Sequence, residues 1–470
     1  MQMNKTPMPE QDPRVRAHNF EEVATGYTAE MAIQEAQRCL DCRHKPCVEG
    51  CPVNVKIPDF IRLLKKGDAR AAYDVIRQDN ALPAICGRVC PQETQCEARC
   101  VRGVRGEPVG IGRLERYAAD TAMAEGAAGE AKVNAENAKA RVAVVGSGPA
   151  GLSCAGELNR MGYDVTIFEA LHTPGGVLVY GIPEFRLPKQ LVRREIDGLE
   201  RAGVKIVTNA VIGKSITLNE LLEEEGFSAA FVGSGAGLPR FQNIEGEQLS
   251  GVYSANEFLT RVNLMKAYRF PEYLTPVRAG RRVAVVGGGN VAMDAARCAL
   301  RLGAEKVMIV YRRGEEEMPA RREEIEHARE EGVEFALLTN PVKFTGDENG
   351  SVTGMTCVRM ALGEPDASGR RRPAPVPGSE FETEISCAVI AIGNSPNPLI
   401  AQTTPGLETQ KWGGIVVKGD TLATSVPGVY AGGDAVTGAA TVILAMGAGK
   451  KAAREIDEYL RAKNGEDAKA

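Results

Sequence analysis

Residues Arg141–Ala170 read "RVAVVGSGPAGLSCAGELNRMGYDVTIFEA", and the order of residue types in this stretch decides the fold. The short apolar run "VAVV" suits a strand buried on both faces. It leads straight into Gly146, Gly148 and Gly151, spaced G-x-G-x-x-G, then into a helical pattern and a second strand ending at Glu169. This is the βαβ unit of a doubly wound sheet. The first glycine permits the tight turn, the second lets backbone approach a pyrophosphate, and the third lets helix and strand pack closely. Phosphates would rest on the N-terminus of the helix opening at Pro149 and Ala150, where unpaired N–H groups favour negative charge. Glu169 stands about 20 residues on, where a carboxylate accepts from ribose hydroxyls.

Residues 281–313, "RRVAVVGGGNVAMDAARCALRLGAEKVMIVYRR", repeat the design. Gly287, Gly288 and Gly289 lead into Asn290, Val291 and Ala292, the G-x-G-x-x-A variant. The second strand ends on Tyr311, Arg312 and Arg313 in place of an acid. A carboxylate there would repel a 2′-phosphate, whereas guanidinium groups bind one, so this unit is expected to prefer NADP(H).

The chain has 470 residues, 43% of them hydrophobic, and a net charge of −4. That length suits about three domains. Acidic and basic residues are interspersed, which argues against nucleic acid and anionic membranes as partners. No signal-like segment or long apolar run is present, and the expected location is the cytoplasm. Of the 12 cysteines, Cys154, Cys298, Cys357 and Cys387 are scattered and are expected to be buried small hydrophobes. The other eight fall between Cys39 and Cys100. In a reducing compartment closely spaced cysteines bind metal more often than they form disulfides.

Those eight make two sets. The first is Cys39, Cys42, Cys47 and Cys51 followed by Pro52; the second is Cys86, Cys90 followed by Pro91, Cys96 and Cys100. Short spacings with a Cys-Pro step suit a [4Fe–4S] cluster. The same spacing also reads as a zinc ribbon. Two dinucleotide sites nearby favour the clusters, because a flavin accepts hydride and passes electrons on singly. Between the sets, "IPDFIRLLKKGDARAAYDVIRQ" from Ile57 carries Phe60, Leu63, Leu64, Ala71, Ala72, Val75 and Ile76 near helical spacing.

Residues 428–453, "GVYAGGDAVTGAATVILAMGAGKKAA", resemble the two-dinucleotide-binding-domain flavoproteins. The resemblance implies that Gly433 and Asp434 meet the ribityl or phosphate part of FAD, and that the helix from Thr441 and Val442 faces the flavin ring. Residues 388–397, "AVIAIGNSPN", resemble the strand returning to the flavin domain. Many relatives reduce disulfides through a cysteine pair soon after the glycines that here are Gly175 and Gly176. This chain continues with Val177 in "PGGVLVYGIPEFRLPK" and has no cysteine there, so its electrons must leave by another route.

Taken with "ICGRVCPQETQCEARC", "IGRLERYAAD" and "GGGNVAMDAAR", these segments resemble the small (beta) chain of NADPH-dependent glutamate synthase from end to end. The large subunit of the electron-bifurcating NADH-dependent ferredoxin:NADP oxidoreductase and the N-terminal portion of dihydropyrimidine dehydrogenase share the pattern. The resemblance implies two interleaved [4Fe–4S] clusters, one on Cys39, Cys42, Cys47 and Cys100, the other on Cys51, Cys90, Cys96 and Glu115. Cys86 is then a spare, packed thiol. The FAD site would take Gly146, Gly148, Pro149, Ala150, Gly151, Glu169, Gly176, Val177, Gly433, Asp434, Thr441 and Val442. The NADP site would take Gly287, Gly288, Gly289, Asn290, Val291, Arg312 and Arg313.

The expected fold is α/β, with two Rossmann-like dinucleotide-binding domains and an N-terminal α-helical double-cluster domain. Its expected divisions are 1–122 for the clusters, 123–140 as linker, 141–270 and 391–470 for FAD with a C-terminal tail, and 271–390 for NADP. The expected activity is hydride transfer from NADPH to FAD without a side-chain acid or base, then electron transfer through the clusters. Glutamate synthesis further needs an amidotransferase, normally with an N-terminal cysteine, and a flavin-bearing barrel. Position 2 is Gln2 and no barrel is left over. The expected partner is therefore a glutamate synthase large chain, alternatively an NADH- and ferredoxin-linked flavoprotein subunit. A further alternative makes the cysteine region a zinc-stabilised docking module.

Overall fold

The computed structural model describes residues 2–126, 138–277, 279–367 and 369–465. Most of the expected linker, residues 127–137, and the end of the expected tail, 466–470, lie outside them.

Two parallel five-stranded sheets carry the two glycine turns. In the first, the strand Arg141–Val145 is central, with Ala229–Val232 and then Val429–Ala431 on one side and Asp164–Phe168 and then Lys205–Val207 on the other. In the second, Arg282–Val286 takes the same central place, with Cys387–Ile390 and Val252–Ser254 on one side and Lys306–Tyr311 and Glu334–Leu337 on the other. Val142–Val145 and Val283–Val286 are buried, as fully covered parallel strands require. Where the chain crosses between the units, Leu238–Pro239 and Asn394–Ser395 pair antiparallel.

Two expected bounds need correction, and one apolar stretch resolves into two elements. The second sheet recruits Val252–Ser254, and the helix Ala255–Asn263 that follows buries Phe258, Leu259 and Val262 in that sheet's core. The boundary at 270/271 therefore falls inside the unit; period-2 patterning is too weak over three residues to place so short a strand. The helix Ile111–Ala124 runs past residue 122 into the expected linker. The amphipathic stretch from Ile57 is two helices, Ile57–Leu64 and Ala69–Arg77. The second starts at Asp68, whose carboxylate accepts the Ala71 N–H at 2.9 Å, an N-cap inside what reads as one periodic run.

The N-terminal helices do not form a separate body. One apolar core runs from Phe60, Leu64 and Leu114 through Val142, Leu158 and Phe231 to Ile443 and Ile456. Its spine is the contact between the helices Pro149–Arg160 and Val442–Asn464. A Cβ on Gly449 would lie 2.1 Å from the Ala150 carbonyl oxygen, and one on Gly447 would lie 3.1 Å from the Pro52 carbonyl oxygen. Lys450 Nζ completes the joint, donating to Asp79 Oδ1 at 2.9 Å and to the Asp79 and Val53 carbonyls.

The second unit is held by charge. Glu331 is buried among Arg297 at 2.7 Å, Arg301 at 2.6 Å and Arg16, from the N-terminal arm, at 3.1 Å. Arg186, from the first unit, meets Asp294 at 2.7 Å and Glu324 at 2.8 Å. Burial alone would raise the Glu331 carboxyl, but hydrogen bonds from Arg301 and Arg297 and their charges hold it at about 2.

Gly449→Ala should cost about 1–3 kcal/mol through overpacking and lower the thermal unfolding temperature. Gly198→Ala, in the helix Lys189–Arg201, meets nothing nearer than Arg201 Nη2 at 3.8 Å and should be neutral or stabilising in the same assay. Glu331→Gln should cost about 3–5 kcal/mol at neutral pH, because it leaves buried guanidinium groups short of an anion. Since the folded pKa is depressed, that stability is present above pH about 4.5 and is lost as pH falls toward about 2. Denaturant titrations at several pH values should show the native protein losing more over that window than the variant.

Candidate functional site

The first glycine turn is an open cradle. Gly146 has φ +98°, and a Cβ there would lie 2.6 Å from the Gly233 carbonyl oxygen, so only glycine makes the turn. A Cβ on Gly148 would meet nothing within 4 Å, and Pro149 begins the helix at its first position. Glu169 is buried, with Oε2 accepting from the Ser147 N–H at 2.9 Å and the Ser147 hydroxyl, and Oε1 from the Leu171 N–H at 2.8 Å. The carboxylate therefore braces the turn.

Two distant segments converge here. A Cβ on Gly176 would lie 2.9 Å from the Gly148 Cα, which puts Val177 at the cradle's edge. Gly433 comes within 3.0 Å of the Ala150 Cβ by the same construction. Asp434 is partly buried, which raises its carboxyl, and accepts the Ala440 N–H at 3.2 Å. Thr441 caps the helix beginning at Val442, accepting the Leu444 N–H at 3.3 Å. Open space over the second glycine, backbone N–H groups at a helix start and a partly buried acid with one backbone partner fit a flavin dinucleotide.

At the second turn, Gly287 has φ +145° and a Cβ there would lie 2.3 Å from the Ala391 carbonyl oxygen, while Gly289 again faces open space, with Pro319 Cγ the nearest atom at 3.8 Å. Gly288 lies over the Tyr311 ring, and Val291 is exposed in the first helical turn. Asn290 is occupied locally, its Oδ1 accepting the Arg321 N–H at 2.9 Å. The arginine pair is not equivalent. Arg312 is exposed, whereas Arg313 is buried and donates to Asp366 Oδ2 at 2.8 Å and to the Arg371 carbonyl at 2.9 Å. Asp366 arrives on a hairpin of an antiparallel sheet inserted between the second unit's strands Glu334–Leu337 and Cys387–Ile390, and sequence proximity to the glycine turn carries no sign of it. Of the two arginines, only Arg312 keeps its side chain exposed.

The eight clustered cysteines sort into two groups, and no disulfide joins any of them. Cys39, Cys42, Cys47 and Cys100 line one pocket with Ile57, Pro58, Ile61 and Val109. Burial pushes the Cys47 thiol up to about 12, and the neighbouring Cys39 and Cys100 add to the shift. The second group is deeper. Cys51 is pushed by burial to about 11, with Glu115 and Cys86 also raising it. Cys96 is driven well up by burial, with Cys51 and Glu115 among its neighbours, and Cys90 is raised chiefly by a hydrogen bond with Cys86 and by burial. Glu115 is buried with its carboxyl raised to about 7, and its hydrogen-bond partner is Asn80 Nδ2 at 2.7 Å. Such groups resist becoming anions without nearby positive charge, and a metal cluster supplies it.

Sequence reasoning passed over Asn80, which touches Glu115, and Met446, whose Sδ lies 3.5 Å from Cys86 Sγ. Neither belongs to a spacing pattern. Their importance comes from tertiary packing.

Comparison with known proteins names the chemistry. Residues 16–127 match the dihydropyrimidine dehydrogenase domain II, 4Fe–4S cluster family, and residues 140–449 match the pyridine nucleotide-disulphide oxidoreductase family. Fold and site together define an oxidoreductase working with NADP(H), FAD and [4Fe–4S] chemistry. The chain belongs to the pyridine nucleotide-disulphide oxidoreductase family, in the group that contains the glutamate synthase small chains. It is 38% identical over 463 residues to the glutamate synthase [NADPH] small chain of Azospirillum brasilense, covering 97% of this chain and 95% of that one. It is 41% identical over 438 residues to the NADP(+)-dependent formate dehydrogenase subunit beta of Moorella thermoacetica, covering 88% of this chain but only 60% of that one. Mycobacterium tuberculosis FprA in complex with NADPH shares the fold, with a TM-score of 0.58 and 22% identity over 70% of this chain and 87% of that one. The 4Fe–4S match stands against a zinc module for the cysteine region. Among the described residues no helix is long and apolar enough to cross a membrane.

Arg312→Glu should raise KM for NADPH by about 10- to 100-fold, the range for losing a charge-assisted phosphate contact, and should change the NADH KM little. Arg313→Ala should lower thermal stability more than it raises the NADPH KM. Steady-state dye reduction with each nucleotide, alongside a melting curve, separates the two.

Proposed function

We propose that this chain is the electron-input subunit of a glutamate synthase-type complex, taking hydride from NADPH and delivering electrons to a partner subunit through two [4Fe–4S] clusters. In this reading an NADP unit is inserted into an FAD unit assembled from both sides of it. The carrying observation is one helix. Val442–Asn464 opens beside the first glycine cradle, and its first two turns touch the Cys51–Pro52 loop through Gly447 and Cys86 through Met446. A short route from flavin to the second cysteine group is thereby built into the core. From there the path continues to the Cys39 group, whose residues are only partly buried, whereas Cys90 and Cys96 are buried.

FAD supplies a carrier that accepts two electrons together and releases them one at a time. The chain's own residues bind and orient. Backbone N–H groups at Gly148 and Gly289 and the helix starts behind them hold the two pyrophosphates, and Arg312 selects the 2′-phosphate. Cys39, Cys42, Cys47 and Cys100 hold one cluster; Cys51, Cys90, Cys96 and Glu115 hold the other. Nothing in the set acts as a proton donor or acceptor, and the rate enhancement is proximity in a dry site. Thiolate ligands of this kind suit the reducing cytoplasm.

A second reading keeps the module and changes the output. The group includes subunits named for formate dehydrogenase and for an NADPH-Fe(3+) oxidoreductase, both called subunit beta. The same chain could thus serve another acceptor, such as the NADH- and ferredoxin-linked partner the sequence suggests. Anaerobic purification should yield about eight irons per chain, two clusters of four, and visible absorbance that NADPH bleaches. Affinity isolation of the native complex decides the output: a large chain bearing an amidotransferase domain supports the synthase reading, and a dehydrogenase or ferredoxin-linked flavoprotein subunit in its place overturns it.

A further inference from the structure

The second cysteine group holds five side chains able to bind iron where a cluster has four corners. Cys51, Cys90, Cys96 and Glu115 are accompanied by Cys86, which is buried and in hydrogen-bond contact with Cys90. Soft thiolate is the commoner ligand for iron–sulfur clusters, so softness alone would favour Cys86 over a carboxylate. Some feature of the protein has to decide between them.

Asn80 touches both candidates. It is fully buried in the link between the helices Ala69–Arg77 and Pro83–Val89. Its own N–H donates to the Ile76 carbonyl at 2.9 Å, and its Oδ1 accepts the Leu82 N–H at 2.9 Å, which fixes the amide's orientation without leaving it a choice of flip. In that orientation Nδ2 donates to Glu115 Oε1 at 2.7 Å. Oδ1 also accepts from the Cys86 thiol, at 3.6 Å. Besides Cys90, the sulfur also neighbours Met446 Sδ at 3.5 Å, on the helix Val442–Asn464. One amide therefore holds the carboxylate by its donor end and the thiol by its acceptor end.

We propose that Asn80 is the positioning residue that selects Glu115, and excludes Cys86, as the fourth ligand of the second cluster. This rests on the cluster reading above. The donor end keeps Oε1 of the carboxylate occupied and leaves Oε2 free to bind iron beside Cys51, Cys90 and Cys96. The acceptor end, with Met446 behind it, holds the Cys86 thiol as a hydrogen-bond donor. Without Asn80 the exchange becomes open: an Fe–O bond to Glu115 breaks, an Fe–S bond to Cys86 forms, and the thiol proton passes to the released carboxylate. No electron is gained or lost, and total charge is unchanged.

The test is Mössbauer and electron paramagnetic resonance spectroscopy of the full chain loaded with 57Fe. The native protein should show an oxygen-ligated iron in one of its clusters. Asn80→Leu, branched at the same atom but without either hydrogen bond, should lose that signal at unchanged iron content and shift the potential of one cluster only. Asn80→Leu combined with Cys86→Ala should restore the signal, and Cys86→Ala alone should leave it intact. An unaltered oxygen-ligated signal in Asn80→Leu overturns the selection by Asn80. Its absence from the native protein instead sinks the ligation by Glu115 itself. Should Asn80→Leu lose one cluster's iron outright, Cys86→Ala decides: full iron and an intact signal support the exclusion of Cys86, and loss of a cluster overturns it.

Discussion

The close approach of the helices Val442–Asn464 and Pro149–Arg160 is the contact on which the rest depends. Gly449 sits against the Ala150 carbonyl with no room for a side chain, and Gly447 lies close to Pro52, where a Cβ would be 3.1 Å from the carbonyl oxygen. The first contact is made within the helix whose start forms the flavin cradle, and the second within the loop of the deeper cysteine group. A single rigid element therefore fixes the cradle and the cysteine loop relative to each other, and Lys450 fastens the same face to Asp79 and Val53. Close-packed interiors transmit small displacements, so a side chain at either glycine would move both sites at once.

The two sheets share glycine geometry and the order of four strands, differing in whether the fifth, at one edge, comes last or first in the chain, but are anchored by different physics. The first is joined to the N-terminal helices by a continuous apolar core. The second meets the N-terminal arm and the first unit through Arg16, Arg186, Arg297 and Arg301 set against Asp294, Glu324 and Glu331. Apolar burial is non-directional and tolerates small shifts. A buried charge without its partner is costly, so the ionic joint penalises every orientation of the second unit that leaves a guanidinium unpaired. Phe185 contributes from the first unit by lying under Arg297 and Arg301.

Local pattern carried much of the fold. A β-branched run, a glycine turn and a helix of fixed spacing are decided by neighbours in sequence, and both βαβ units lie where that pattern puts them. Boundaries were less legible. Val252–Ser254 is too short to show a period, and Asp68 caps a helix inside a run whose apolar spacing looks continuous. At the site, residues tied to a spacing could be named, including Gly148, Gly289 and the cysteines. Arg313 could not be told from Arg312, because Asp366 comes from an inserted sheet some fifty residues downstream. Asn80 and Met446 were invisible for the same reason, since their neighbours come from other helices.

The sorting of the cysteines shows where a linear reading stops. Along the chain, four cysteines followed by four others suggest one metal for each set. In space Cys100 crosses to the first set's pocket, Cys51 goes down to the second group, and Cys86 stays beside it. The folding of Pro83–Val89 against Ile111–Ala124 makes this crossing possible. A Cβ on Gly87 would lie 2.6 Å from the Arg116 backbone nitrogen, so the two helices touch backbone to backbone and carry Glu115 in beside Cys90. The carboxylate comes near the thiols because a glycine, one residue after Cys86, lets its helix come that close.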